Sequence, residues 1–131
     1  MNKEKLKKVL DDISSVRIIV IGDFCLDAYW FIDEAMSEIS IETNEVTRPV
    51  RQLRYSLGGA GNVTNNLAAM GIKDIMAFGV IGPDPFGTEM IRIMKEAGIS
   101  TGNMLVQNGE WYTHTYAKPY IDDRELNRVD S

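Results

Sequence analysis

A chain of 131 residues, 44% hydrophobic and 25% charged, has the balance of one soluble globular core of ordinary size. Its net charge is −5, and its one lysine-rich stretch, Lys3 to Lys8, alternates with the apolar Leu6, Val9 and Leu10, so DNA and RNA are excluded as partners for want of a basic surface. Cys25 is the only cysteine, which excludes an intrachain disulfide and a thiolate-rich metal site. No run approaches the roughly 18 apolar residues that span a bilayer, and the N-terminus lacks a signal-peptide pattern; the expectation is a cytoplasmic protein with no membrane partner.

In chain order, Leu6, Val9, Leu10 and Ile13 recur at helical spacing and predict an amphipathic helix from about Lys3 to Asp12. Arg17-Ile-Ile-Val-Ile-Gly22 follows, a nearly continuous β-branched run that reads as a parallel strand buried on both faces. Residues 28–56 break the rhythm. Their second half, Glu45 to Tyr55, mixes β-formers with charges and carries Pro49, the marks of exposed or edge strands, and predicts a small β-element projecting from the core.

Gly61 to Met70 predicts a helix with Val63 and Leu67 on one face, closed by a left-handed Gly71. Ile75 to Ile81 reads as a second buried strand. Phe86 to Ala97 repeats the helical pattern through Met90, Ile91 and Met94 and stops at Gly98, and Asn103 to Gln107 suggests a third strand. Tyr112 to Ile121 and Leu126 to Asp130 suggest two more, joined by the turn Asp122-Asp123-Arg124. Alternating strands and helices imply right-handed βαβ crossovers and a doubly wound α/β sheet.

Chemistry is expected first at Gly22-Asp23-Phe-Cys-Leu-Asp27, directly after the first strand, because ligands of open parallel sheets bind beyond the carboxyl ends of the strands. Ionised aspartate offers two acceptor oxygens to vicinal sugar hydroxyls. The competing reading makes Asp23 or Asp27 a turn cap. Gly58-Gly59-Ala60-Gly61-Asn62 opens a helix, and its glycines let the backbone approach a ligand closely while free helical N–H groups offer donors. A tight packing turn is the structural alternative. A dinucleotide fingerprint, and with it an oxidoreductase, is disfavoured: Thr64 stands where the third glycine belongs, and the motif does not follow the first strand.

Gly82-Pro-Asp84-Pro85-Phe-Gly87 has a structural explanation, with Asp84 as N-cap and Pro85 at the first helical position. His114 reads as a packed or exposed strand histidine and Cys25 as an inert buried thiol. Tyr29, Trp30 and Phe31 form a cluster that fits lid core, a dimer contact or a sugar-stacking surface.

Together, Asp23 and Asp27 after the first strand, the Gly58-Gly59 pair with Asn62, and the Gly82-x-Asp84-x-x-Gly87 turn resemble the N-terminal half of ribokinase-like (PfkB) carbohydrate kinases, from about Arg17 to Asp130. Gly22 to Trp30, Gly58 to Val63 and the short spacing from Gly58 to Asn62 look most like the heptose-7-phosphate kinase branch.

The resemblance implies a partial ribokinase-like doubly wound βαβ sheet with an inserted small β-lid: residues 1–27 and 57–131 in the core and 28–56 as the lid, which pairs two subunits into a homodimer. It implies that Asp27 binds sugar hydroxyls, that Gly58 and Gly59 lie against the sugar with Asn62 following, and that Asp23 is a branch-specific addition. Ser40-Ile41-Glu42-Thr43-Asn44 departs from the Ser-Pro-Glu-Ala type stretch of heptose kinases, leaving the sugar or sugar phosphate open.

The family's catalytic aspartate, in a Gly-Ala-Gly-Asp type motif near its C-terminus, has no counterpart here, nor do its nucleotide-binding segments. ATP and Mg²⁺ are therefore implied for a complete kinase, with the catalytic residues outside this chain, no tight binding of either by the chain alone, and no activity of its own. A non-catalytic sugar-binding or dimerisation module is the alternative.

Overall fold

The computed structural model describes residues 2–131. In chain order the elements are α1 (Lys3–Ile13), β1 (Arg17–Ile21), β2 (Phe24–Ile32), a 3-10 turn (Glu34–Met36), β3 (Val50–Gly59), α2 (Ala60–Ala69), β4 (Asp74–Ile81), α3 (Pro85–Glu96), β5 (Ser100–Val106), β6 (Thr115–Ile121), β7 (Arg124–Glu125) and β8 (Val129–Asp130). Two sheets result. One is parallel, in the order β1-β4-β5; the other is mixed, in the order β3-β2-β6-β7, with β8 also on β6.

Both α2 and α3 cover the same face of the parallel sheet. Ile75, Ala77, Ile81 and Met104 meet Met90 and Met94 of α3 there, with Ile18, Val20, Leu67 and Ala68 packed around them. The opposite face is open among the described residues, and this corrects the reading of β1 as buried on both sides. Its burial alternates, leaving Ile19 and Ile21 53% and 77% exposed, because β1 is an edge strand whose helices all lie to one side.

The rotation of α2 also differs from expectation. Gly61 and Thr64 face inward, while Val63 is 50% exposed. A side chain at Gly61 would meet the Leu57 Cβ at 3.0 Å, so the absence of one lets the helix settle onto β3. Thr64 then satisfies its buried hydroxyl within the helix, donating to the Gly61 carbonyl at 2.7 Å. For α3 the local signals hold: the Asp84 carboxylate accepts from the Gly87 N–H at 2.9 Å, Pro85 opens the helix, and Gly98 follows it at φ 76°.

The second sheet is wider than residues 28–56. Strand β2 starts at Phe24, only Gly22 and Asp23 beyond β1, and pairs antiparallel with β3 from Phe24↔Gly59 to Ile32↔Val50. Its other edge pairs in parallel with β6, from Leu26↔Thr115 to Ile32↔Ile121. Strand β6 begins later than Tyr112 because the Thr113 N–H donates to Asp84 Oδ2 at 2.7 Å and its hydroxyl accepts from Gly82 N–H, which replaces ladder bonds with side-chain ones. In place of one strand from Leu126 to Asp130 there are two short ones, β7, which begins within the expected turn at Arg124, and β8 at Val129–Asp130. They interrupt around Pro119, which has no N–H to give to a ladder.

Phe24, Leu26 and Leu57 of this sheet insert into the same core as the helices, so one hydrophobic cluster joins both sheets.

A half-buried aspartate beside a glycine pair

Residues two apart on β2 share a face. Leu26, Ala28 and Ile32 are buried on one side, and Asp27, Tyr29 and Phe31 lie on the other. Asp27 is therefore a strand residue opposite Ser56 and Tyr116, not a turn residue, which removes the capping explanation for it. Its Oδ1 lies 2.7 Å from the Lys118 Nζ, with the two side chains only 19% and 18% exposed. Burial works against the Lys118 charge, but the hydrogen bond and charge of Asp27 outweigh it and hold the lysine above its ordinary pKa.

Gly58 lies across from Cys25 on β3. A Cβ there would stand 2.6 Å from the Cys25 Sγ and 3.5 Å from Asp27 Oδ2, so the lack of a side chain at buried Gly58 makes room for the thiol next to the carboxylate. Burial, reinforced by the Asp27 charge, pushes the Cys25 thiol up, in keeping with an inert buried cysteine. Gly59, at φ 55°, turns β3 straight into α2; a Cβ on it would collide with the Asp23 carbonyl oxygen at 2.4 Å, and that oxygen accepts from the Ala60 N–H at 2.9 Å. Asn62 lies exposed in the first turn of α2. The structure thus brings Asp27 to Gly58, and the Asp23 backbone to Gly59 and the start of α2.

Asp23 also lines a neighbouring cleft of about 340 Å³ beyond β1 and β4, together with Asn103, Trp111 and His114; Asp27, Gly58, Gly59 and Asn62 are not among its walls. His114 is exposed, just before β6 and not within a strand. The aromatic cluster divides by strand alternation. Tyr29 and Phe31 lie 6.1 and 5.8 Å from the Tyr120 ring, and Arg54 sits 4.6 Å over Tyr29, while Trp30 falls on the other face.

Sequence reading missed Lys118 and half the role of Asp84. Alternation within Thr115 to Ile121 puts Tyr116, Lys118 and Tyr120 on one face, but nothing local announces that β6 will pair with β2. Asp84 caps α3 with one oxygen and holds the segment entering β6 with the other. Burial raises its pKa, yet the N–H groups of Thr113 and Gly87 prevail and leave it below the usual carboxylate value.

Gly59-Ala60-Gly61 follows an antiparallel strand of the second sheet, which is not the βαβ setting a dinucleotide fingerprint requires. No helix among the described residues is long and apolar enough to cross a membrane.

Residues 15–120 match the pfkB family of carbohydrate kinases. The chain belongs to this family. Among curated pfkB-type relatives it is 34% identical to the bifunctional protein HldE of Citrifermentans bemidjiense over 99% of its own length and 26% of that protein's. It is 36% identical to a D-beta-D-heptose 7-phosphate kinase of Bordetella bronchiseptica, over 90% of this chain and 36% of the relative. The chain thus spans about a quarter to a third of these relatives.

Solved sugar-kinase structures share the fold. A carbohydrate kinase from Agrobacterium tumefaciens superposes with TM-score 0.67 at 18% identity, covering 88% of this chain and 35% of that one. Ribokinase from Cryptococcus neoformans var. grubii serotype A, in complex with ADP, gives 0.62 at 20% identity, covering 89% and 34%. The pfkB chain described here has the partial ribokinase-like α/β architecture with a second β-sheet beside it.

Proposed function

We propose that this chain is the sugar-binding part of an ATP-dependent carbohydrate kinase that phosphorylates a hydroxyl of a sugar or sugar phosphate, with heptose 7-phosphate the first candidate. The observation that carries the reading is the largely buried Asp27 carboxylate, held by Lys118 beside Gly58 at the turn into α2. Carboxylate oxygens accept from neighbouring hydroxyls, and the glycine pair lets β3 pass close to β2 and turn straight into the helix start beside that carboxylate. The start of α2, with Asn62 in its first turn, supplies donors for further hydroxyls. Asp23 adds a carboxylate from the adjoining cleft. Holding the sugar in one orientation is this chain's share of the work, because in-line transfer depends on the attacking hydroxyl being fixed.

Among the described residues no three His, Cys, Asp or Glu side chains gather as a metal set. On this reading ATP, Mg²⁺ and the catalytic base belong to the other parts of a complete kinase, and this chain transfers no phosphoryl group alone. We place the protein in the cytoplasm. In an amide NMR titration, heptose 7-phosphate should shift Asp27 and Gly58 to Asn62 and ATP should not. Shifts from NAD alone, or none from heptose 7-phosphate, ribose or fructose, would overturn the reading.

A homodimer through the second sheet belongs to the same proposal. Strand β3 is the sheet's edge, and Val50 and Leu53 are exposed along it, so its free backbone groups suit pairing with a second copy. Sedimentation equilibrium should show a dimer at micromolar concentration; a monomer throughout the high micromolar range would refute it.

A further inference from the structure

The two oxygens of Asp27 have different surroundings. Oδ1 is engaged by the Lys118 ammonium at 2.7 Å, whereas Oδ2 is the oxygen turned toward Gly58, 3.5 Å from where a Cβ there would stand, with the Cys25 Sγ packed 2.6 Å from the same point. We propose that Lys118 is the positioning residue of the sugar site: by fixing Oδ1 it holds Oδ2 in the one orientation in which a sugar hydroxyl can donate to it. The proposal rests on the sugar reading of Asp27 given above and extends it to a residue on another strand.

Three features hold the lysine to this task. Lys118 lies opposite Tyr29 on the strand that pairs in parallel with β2, one side-chain position along the face from Asp27, so its extended stem reaches the carboxylate diagonally. On the far side of Tyr29, the Arg54 guanidinium lies 4.6 Å from the ring centroid, against 5.2 Å for the Lys118 Nζ, and its like charge disfavours a swing of the lysine in that direction. The other nearby carboxylate, Glu125, is occupied, accepting from the Tyr120 hydroxyl at 2.6 Å.

Both partners of the pair are about four-fifths buried. A carboxylate so placed needs its cation, and without it the side chain turns toward whatever water or donor it can reach. Sugar binding then has to restore the aim of Oδ2, which weakens it.

The test uses this chain, with the Asp27 rotamer read from Hα–Hβ couplings and sugar affinity from calorimetry with heptose 7-phosphate. Wild type should show one rotamer. Lys118→Met, or Lys118→Gln should the methionine variant fold poorly, should show averaged couplings and about tenfold weaker binding, the loss expected for one charge-assisted contact. Lys118→Arg should restore both the single rotamer and the affinity, which a merely structural role would not require.

A single Asp27 rotamer persisting in Lys118→Met or Lys118→Gln overturns the proposal. So does unchanged affinity in those variants while Asp27→Asn binds weakly, a result that leaves the sugar site standing. Unchanged affinity in the Lys118 variants and in Asp27→Asn alike overturns the sugar reading and the positioning role together.

Discussion

Asp27→Asn should weaken sugar binding by on the order of 10- to 150-fold, the range that follows from losing one charge-assisted hydrogen bond of about 1.5–3 kcal/mol. The geometry sharpens the reason. An asparagine can still present an oxygen to Lys118 in place of Oδ1, and that contact selects its orientation. The amide NH₂ then occupies the position of Oδ2, so a donor stands where a sugar hydroxyl should itself donate. In a complete kinase, turnover should fall as well, since the attacking hydroxyl is no longer held in line, and ATP affinity should not change. Calorimetry with heptose 7-phosphate decides the matter, and equal affinities for wild type and Asp27→Asn would end the assignment of this carboxylate.

Gly59→Ala should cost about 3 kcal/mol of stability or more, combining steric collision with backbone strain. The backbone sits at φ 55° and ψ −130°, far from the left-handed helical basin that an L-residue can tolerate near ψ of about +47°. The new Cβ would stand 2.4 Å from the Asp23 carbonyl oxygen, a backbone atom that cannot move without breaking its bond from the Ala60 N–H. Gly71→Ala is the matched comparison. Gly71 also has positive φ, at 98°, but a Cβ there meets nothing within 4 Å, so only the conformational cost of roughly 1–2 kcal/mol applies. Urea denaturation of the two variants measures the difference, and a Gly59→Ala loss no greater than that of Gly71→Ala would contradict the collision.

Features decided within a few residues were legible in the sequence. Asp84 and Pro85 announced the start of α3, and Gly71 and Gly98 the left-handed residues after two helices, because caps and turns are local chemistry. The glycine pair was legible as the turn into α2 for the same reason, and Asp27 as a carboxylate soon after the first strand, though not as a strand residue itself. What sequence could not show was pairing across long separations. Nothing near Thr115 specifies that it lies beside Leu26, so the Lys118 contact and the true width of the second sheet stayed hidden. Nor does an apolar run reveal which face is covered. Ile19 and Ile21 are as β-branched as Ile18 and Val20, and only the placement of α2 and α3 separates them.

The two-residue step from β1 to β2 and the direct run of β3 into α2 meet at one place, where the Ala60 N–H holds the Asp23 carbonyl. Mechanically this is the joint between the second sheet and the core, nearer to Asp27 than to the sheet's tip. Asp27 stands four residues from the joint, about 13 Å along the strand, and Ile32 about 30 Å, at roughly 3.3 Å per residue. By that geometry a tilt of about 10° would sweep the tip through roughly 5 Å while moving Asp27 by about 2 Å. The sheet is thus an arm whose tip lies more than twice as far from the joint as Asp27 does, so that any tilt would displace the rim more than the carboxylate.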